Sequence, residues 1–378
     1  MENIIPFARP TITENEINEV ISILKSGWLT MGPKVKQFEK EFSSYIGVKH
    51  SIAVNSCTSA LFLSLIANDI KTGDEVITTP FTFAATANTI VHSGAKPVFV
   101  DIKDDTFNID ANEIRKAITN KTKAIIPVHY AGQPCDMKEI NEIADDNNLI
   151  IIEDAAHAIG SEYNNNKIGS LNLTCFSFYA TKNLTTGDGG MITTNNDKIA
   201  AKLRMLRLHG MSHDAWKRYT SKGSWFYDII APGYKSNLGD LNAAIGIHQL
   251  KNIKDLNNQR RLIAEFYEKE LEELPLQMQR LKSNIKTSYH LFPILLKDYD
   301  RAKFIEQMKE KGIICSVHFI PLHLTSYYQK SLGYMKGDFP IAESVYEREV
   351  SLPIYPNLTE KDLVRITDSI KQILIRKT

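Results

Sequence analysis

The sequence is poor in cysteine and has no long hydrophobic run. Only four cysteines occur in 378 residues, Cys57, Cys135, Cys175 and Cys315, and none forms a Cys-x-x-Cys pair. So few cysteines do not make a disulfide framework, and a reducing compartment is expected. No apolar run reaches the roughly 18 residues that span a bilayer, and the first residues lack the basic and then apolar pattern of a signal peptide. We therefore expect a cytoplasmic protein with no membrane partner.

The sequence also lacks an excess of charge of either sign. Lysine and arginine number 45 against 44 aspartates and glutamates, a formal net charge of +1. This balance argues against a nucleic-acid partner, because proteins that bind nucleic acids carry an excess or a cluster of basic residues. We find no repeat, no low-complexity segment and no pattern that calls for a metal. Hydrophobic residues make up 43% of the chain, and the length suggests about two domains with a large core.

The hydrophobic pattern predicts an α/β protein. Helical spacing covers residues 13–26 and 34–46. Amphipathic stretches then alternate with short apolar runs at residues 51–54, 75–79, 97–100, 124–128, 149–153, 175–179 and 190–194. Strand-like runs that alternate with helices predict a mostly parallel central sheet flanked by helices.

The hydrophobic pattern changes near residue 250. A long amphipathic stretch over 239–273 is followed by strand-like runs at 288–296 and 313–319 and by helical patterns at 301–311 and 360–375. We interpret this part as a smaller α+β domain. The expected division is a large domain over residues 1–250, which includes the N-terminal segment, and a small C-terminal domain over residues 251–378.

Polar residues that directly follow apolar runs are the candidates for chemistry, because ligands of open α/β sheets bind outside the carboxyl ends of strands. Four such junctions stand out, at residues 55–61, 79–88, 150–157 and 176–190. The first offers small hydroxyl residues at a helix start, where free N–H groups bind anions. The second offers two phenylalanines, the third a Glu-Asp pair and the fourth a lysine beside a glycine-rich turn.

Each junction taken alone has a simpler structural explanation. Serine and threonine cap most helices, aspartate does so too, phenylalanine usually packs in cores, and lysine is usually solvated. Together, however, a phosphate site, a stacking ring, an acid and a lysine are the parts that pyridoxal 5′-phosphate (PLP) requires. The phosphate anchors the cofactor, the acid keeps the pyridine nitrogen protonated, and the lysine binds the cofactor covalently.

The chain closely resembles the DegT/DnrJ/EryC1/StrS family of PLP-dependent sugar aminotransferases, which share fold type I, the aspartate aminotransferase-like fold. The similarity extends over nearly the whole chain. Its motifs are at residues 26–33, 55–61, 73–77, 153–157, 181–183, 187–190, 208–210, 233–240, 321–323 and 351–356.

The resemblance implies roles for particular residues. Lys182 would be the Schiff-base lysine and the acid/base that moves the proton, and Asp154 would pair with the pyridine nitrogen. His157 would lie against the ring or its phenolic oxygen, and Phe83 would stack on the ring. The phosphate ligands would be the N–H groups of Cys57 and Thr58, the hydroxyl of Ser177 and, from the partner subunit of a homodimer, Lys235 or Asn237. Many family members have glycine at the position of Cys57, and many read Gly-Tyr-Asn-Tyr-Arg where this chain has residues 233–237.

The resemblance further implies a substrate class. The expected reaction moves an amino group from L-glutamate to a nucleotide-linked keto-deoxysugar, with a 4-keto-6-deoxyhexose as first candidate and a 3-keto sugar as second. The product would serve surface polysaccharide or lipopolysaccharide (O-antigen) biosynthesis. Candidate contacts to the donor carboxylate or the nucleotide sugar are Trp28, Arg207, His209, His318 and His323. The alternatives are another PLP enzyme of the same fold and a non-catalytic or regulatory PLP-binding homologue.

Overall fold

The computed structural model describes residues 4–211 and 227–375. Its helices, in chain order, are α1 (Glu14–Ser26), α2 (Pro33–Ile46), α3 (Cys57–Ala67), α4 (Ala84–His92), α5 (Ala111–Ala117), α6 (Met137–Asp146), α7 (Asp197–Leu206), α8 (Asp240–Leu271), α9 (Arg301–Glu310), α10 (Ser326–Leu332), α11 (Pro340–Arg348) and α12 (Glu360–Ile375). Its strands are β1 (His50–Val54), β2 (Glu75–Thr78), β3 (Lys96–Phe99), β4 (Thr122–Ile125), β5 (Ile150–Asp154), β6 (Glu162–Tyr163), β7 (Asn166–Lys167), β8 (Leu173–Ser177), β9 (Gly190–Thr194), β10 (Leu276–Met278), β11 (Ile285–Lys286), β12 (Phe292–Leu296) and β13 (Glu349–Leu352).

A seven-stranded sheet with the order β1-β9-β8-β5-β4-β2-β3 forms the centre of the molecule. Its strands β3, β2, β4, β5 and β8 run parallel. Strand β9 is antiparallel to both of its neighbours, β8 and β1. The prediction of a mostly parallel sheet is confirmed, and the parallel strands all end at one edge, where the loops that carry the candidate residues begin.

Helices cover both faces of this sheet. Alternate residues of a strand point to opposite faces. Cys175 and Ile192 accordingly pack beneath α3 and α7, whereas Phe176 and Met191 pack beneath α2 and α8. All four side chains are fully buried. The hydrophobic core therefore holds the ends of β5 and β8 rigidly from both sides.

The C-terminal part has its own small sheet, with the antiparallel order β10-β12-β13. Its core includes Tyr267, Phe292, Phe304 and Ile366. Helix α8 is 32 residues long and packs against α1, α2 and α12. The expected domain boundary at residue 250 thus falls inside one continuous helix, and the division into two domains stays a prediction.

The strand-like run at residues 313–319 does not form a strand in the structure. It is extended and touches its neighbours only through isolated bridges, Ile313 to Ile5 and Ser316 to Ser351. Ile314 N–H and Ser316 N–H donate across these bridges, to Ile5 O and Ser351 O. Ile313 N–H and His318 N–H bind elsewhere, to Met308 O and to the Glu349 carboxylate. The prediction of a strand over this run is therefore wrong, because the chain is extended but does not form the ladder of hydrogen bonds that a strand needs.

Among residues 4–211 and 227–375, no helix combines the length and the apolar character needed to cross a membrane.

Candidate active site

One cleft of about 320 Å³ collects residues from all four candidate junctions. It opens at the carboxyl ends of β1, β2, β5 and β8, where ligand sites of such sheets are found. The sequence-predicted residues that line it are Cys57, Thr58, Phe83, Asp154, His157, Ser177, Lys182 and His318. The four candidate junctions are far apart in the sequence, and they meet in this cleft because the strands that they follow end at the same edge of the sheet.

The start of α3 forms one end of the cleft. The N-cap residue Ser56 accepts a hydrogen bond at its Oγ from Ser59 N–H, at 3.1 Å. The N–H groups of Cys57 and Thr58 in the first turn have no acceptor within the helix, and the helix dipole makes this end positive. Gly190 approaches so closely that a Cβ there would lie 2.8 Å from Cys57 N and 2.6 Å from the Ser56 carbonyl. This end suits a bound anion.

Asp154 ends β5 and lies buried on one wall of the cleft. Its Oδ2 accepts a hydrogen bond from Thr86 Oγ1 at 2.8 Å, and its Oδ1 accepts one from Ala156 N–H at 3.2 Å. Burial raises the pKa of this carboxyl, and these hydrogen bonds and the nearby Lys182 charge act in the opposite direction. Two oxygens can accept about four hydrogen bonds, so the carboxylate can still take a cationic N–H donor.

Lys182 follows β8 in a turn closed by its own N–H, which donates to Tyr179 O at 2.9 Å. Loss of water around its amine lowers the pKa of Lys182 to about 8, although Cys57 and Asp154 act to raise it. About a tenth of the amine is therefore unprotonated and nucleophilic at pH 7, far more than at the ordinary lysine pKa.

Two aromatic side chains face the cleft from different depths. His157 is buried, and burial together with the charges of Lys182 and His318 holds its pKa well below its ordinary value. Its Nδ1 is buried without a hydrogen-bond partner in the described chain. Phe83 is 63% exposed at the cleft mouth, although phenylalanine normally packs inside. An orphaned ring nitrogen and an uncovered ring fit a flat ligand that carries polar groups.

Of the five candidate substrate contacts, the structure brings only His318 into the cleft. Arg207 is buried outside it, where it pairs with Glu39 and donates to Ala53 O at 2.8 Å. His323 is fully buried, with Nε2 2.8 Å from a Glu343 oxygen. Arg207 and His323 thus each pair with a glutamate outside the cleft of their own chain, and their contact with substrate stays a prediction.

The remaining four predicted residues lie away from the cleft of their own chain. Trp28 is half-buried and donates to Met31 O at 3.4 Å, and His209 lies exposed in a turn with φ of 57°. Lys235 is exposed and bridges to Leu208, and Asn237 bridges to Val54. The expectation that Lys235 or Asn237 completes a partner's phosphate site stays a prediction.

Sequence reasoning missed several groups of the cleft. His290 lines it, with Nε2 3.4 Å from Lys182 Nζ, and Thr86 binds Asp154. Outside the cleft lining, sequence reasoning also missed the partner of the predicted His318, whose Nδ1 lies 2.9 Å from Ser351 Oγ, which donates to Glu349. His290 lies inside the strand-like stretch 288–296, and no local signal in the sequence distinguishes it from a core histidine.

Comparisons with known proteins agree with this geometry. The model of the DegT/DnrJ/EryC1/StrS aminotransferase family matches residues 10–371. The chain is 56% identical to the uncharacterized protein MJ1066 of Methanocaldococcus jannaschii, over 99% of this chain and 98% of that protein. It is 47% identical to the spore coat polysaccharide biosynthesis protein SpsC of Bacillus subtilis, over 98% and 97% of the two chains.

A solved structure supports the same conclusion. The PLP form of the putative sugar aminotransferase Spr1654 from Streptococcus pneumoniae superposes with a TM-score of 0.93 and 34% identity, covering 99% of this chain and 99% of that one. The anion site, the buried carboxylate and the lysine of low pKa are also the groups that this cofactor needs. The chain therefore belongs to the DegT/DnrJ/EryC1/StrS aminotransferase family and is a PLP-dependent enzyme of the sugar aminotransferase type.

Proposed function

We propose that this enzyme moves the amino group of L-glutamate to a nucleotide-linked keto-deoxysugar. A 4-keto-6-deoxyhexose is the first candidate for the acceptor and a 3-keto sugar the second. The observation that carries the proposal is the presence of Lys182 and Asp154 in one cleft, at the ends of the neighbouring strands β8 and β5. A polysaccharide pathway for the product is supported by the printed name of the relative SpsC.

Each end of the cleft would hold one part of PLP. The N–H groups of Cys57 and Thr58 and the hydroxyl of Ser177 would bind the phosphate, where the α3 dipole favours negative charge. Asp154 would face the pyridine nitrogen. Phe83 and His157 would lie against the ring. When bound, the cofactor supplies a carbonyl group that takes up the amino group and an aromatic ring that accepts negative charge.

Lys182 would perform the proton transfers. Its Nζ, unprotonated in part because of the pKa near 8, would take a proton from the α-carbon of the donor and deliver it to the cofactor carbon. The same atom would reverse these transfers for the sugar. The Asp154 carboxylate would keep a proton on the pyridine nitrogen, because an adjacent negative charge favours the protonated form.

The cleft also indicates where the substrates would bind. The half-buried His318 lines the cleft beside Phe7, with which its ring stacks at 5.2 Å. Burial and the Lys182 charge lower the pKa of His318 to about 4, so a neutral imidazole would face the sugar or the donor. We further propose a homodimer in which Lys235 or Asn237 of each chain reaches the phosphate site of the other.

A panel of nucleotide keto-sugars tests the proposal. Purified enzyme with PLP and glutamate is incubated with each sugar, and products are identified by mass spectrometry. The proposal predicts one preferred 4-keto-6-deoxy substrate and its amino sugar product, and no product from the Lys182→Ala variant. Conversion of glutamate without any sugar product from the panel would contradict the acceptor class, and turnover by Lys182→Ala would contradict the role of the lysine.

A further inference from the structure

We propose that His290 is a positioning residue for the Lys182 amine, and that Asn183 fixes the tautomer in which it acts. His290 Nε2 lies 3.4 Å from Lys182 Nζ, and His290 Nδ1 lies 3.0 Å from Asn183 Oδ1. The inference deepens the proposed function, because it rests on the proton-transfer role of Lys182.

The orientation of the Asn183 amide follows from its partners. Its Nδ2 lies 2.8 Å from Ser288 O and 2.8 Å from Asn257 Oδ1. Ser288 O is a backbone carbonyl and only accepts hydrogen bonds. The Asn257 amide is oriented in turn by the carbonyl of Ile159, which accepts from its Nδ2 at 2.9 Å. Two backbone carbonyls thus fix both amides, and Asn183 Oδ1 must face His290.

The tautomer of His290 follows from this orientation. Asn183 Oδ1 carries only lone pairs, so His290 Nδ1 must hold the hydrogen of their contact. The second nitrogen, Nε2, then carries a lone pair in the neutral ring. Burial and the charges of Lys182 and Arg260 hold the pKa of His290 well below its ordinary value, which agrees with a neutral ring. His290 can therefore only accept at the Lys182 side.

An acceptor at this place orients the amine. Lys182 Nζ donates one N–H to His290 Nε2, and this hydrogen bond restricts rotation of the amine about its Cε–Nζ bond. In the unprotonated amine the lone pair is not used by this contact, so it remains available for proton transfer. A histidine with the opposite tautomer would donate to that lone pair and block it.

The packing around His290 leaves little room for another arrangement. The ring is buried and lies 4.3 Å from the His157 ring, centre to centre. The ionisable groups that face the pair are Cys57, Asp154, His157, His318 and Arg260. Arg260 donates to the backbone carbonyls of His290 and Ile354, so its charge is held next to the ring and disfavours an imidazolium.

The first test uses the cofactor-free protein and its histidine tautomers. Nitrogen-15 NMR of protein labelled at histidine distinguishes an N–H nitrogen from one with a lone pair, and the signal that disappears in His290→Gln assigns the residue. The proposal predicts hydrogen on Nδ1 and a lone pair on Nε2. Hydrogen on Nε2, or a charged ring at neutral pH, would overturn it.

The second test measures the amine itself in cofactor-free protein. Competitive labelling with acetic anhydride across pH, followed by mass spectrometry of the Lys182 peptide, gives the titration midpoint of this lysine. His290→Leu removes the acceptor that stabilises the ammonium, so the midpoint should fall. The unprotonated fraction at pH 7 should rise about two- to sixfold, the equivalent of one hydrogen bond. His290→Gln keeps an acceptor and should restore most of the midpoint.

The controls separate positioning from packing. His248→Gln makes the same type of substitution on α8, where His248 Nε2 contacts Glu19 at 3.2 Å outside the cleft, and it should leave the Lys182 midpoint unchanged.

With cofactor and substrates, His290→Leu should lower kcat about tenfold and leave KM unchanged. Equal midpoints in wild type, His290→Leu and His290→Gln would overturn the proposal. Because labelling needs no cofactor, this result is independent of whether the proposed transamination is correct.

Discussion

Replacing Asp154 by asparagine removes one negative charge from the cleft and leaves its shape almost unchanged. The oxygen of the new amide can still accept a hydrogen bond from Ala156 N–H, and the NH₂ group of the amide can donate to Thr86 Oγ1. The Thr86 hydroxyl can then donate to Thr82 Oγ1, which lies 2.8 Å away, instead of to residue 154. We therefore expect a folded variant whose chemistry is damaged. Loss of one preorganised charge at a reacting centre typically costs about 10²–10³ in kcat, roughly 3–4 kcal/mol. Steady-state kinetics with glutamate and the preferred sugar measure the change.

The same substitution should lower kcat but leave the folded protein as stable as the wild type or more stable. Burial raises the pKa of Asp154, so the folded protein binds a proton at this carboxyl more tightly than the unfolded chain does. The stability contributed by that proton is present below the unfolded pKa and is lost as pH rises through the folded pKa. At neutral pH the ionised carboxylate thus costs stability, and cofactor-free Asp154→Asn should melt at the same temperature or higher.

The neighbouring residue on the same strand provides a matched control. Glu153 is also buried, but it points to the opposite face of the sheet, where it contacts His129 Nε2 and Asn172 Nδ2 at 2.8 Å. Glu153→Gln should keep kcat near the wild-type value. If Asp154→Asn kept kcat within about threefold, less than 1 kcal/mol, the electrostatic role of the carboxylate would be refuted.

Three further changes test other parts of the cleft. Thr86→Val removes the hydroxyl that donates to Asp154 and should lower kcat about tenfold, the equivalent of one hydrogen bond to a charge, as steady-state kinetics would show. Gly190→Ala places a Cβ 2.6 Å from the Ser56 backbone, so denaturant titration should show about 1–3 kcal/mol less free energy of unfolding, together with weaker PLP binding. The rate at which cofactor-free enzyme takes up PLP should rise with pH and level off above about 8, since the pKa of Lys182 is about 8.

Opposite outcomes would contradict each of these expectations. Unchanged kcat in Thr86→Val would mean that the hydroxyl does not tune Asp154. Unchanged stability in Gly190→Ala would mean that the contact between β9 and α3 is looser than the structure shows. An uptake rate that keeps rising to pH 10 would mean that burial does not lower the pKa of Lys182.

The sequence predicted well those features that depend on local pattern and on strand order. The apolar runs identified the seven strands of the central sheet, because buried parallel strands need continuous hydrophobic residues. The carboxyl ends of these strands meet at one edge, so the junctions that follow them form one cleft. Helix α1 (Glu14–Ser26) is preceded by its N-cap residue Thr13 and followed by Gly27 at φ 74°, close to the predicted range 13–26.

Features that depend on contacts between distant segments could not be predicted in this way. His290 lies 108 residues from Lys182 in the sequence, and only the tertiary structure joins them. Arg207 and His323 lie outside the cleft, where the tertiary structure pairs them with Glu39 and Glu343, and no local pattern reveals these pairs. The segment 313–319 has the alternation of a strand, and its hydrogen bonds are decided by neighbours that no local pattern reveals.

The covalent attachment of the cofactor tests the central claim most directly. Borohydride reduction of the enzyme with bound PLP fixes the cofactor to its lysine, and peptide mapping by mass spectrometry identifies that residue. The account predicts that the label lies on Lys182 alone and that Lys182→Ala carries none, although it still binds PLP reversibly through the start of α3. A label on another of the chain's lysines, or covalent attachment in Lys182→Ala, would contradict it.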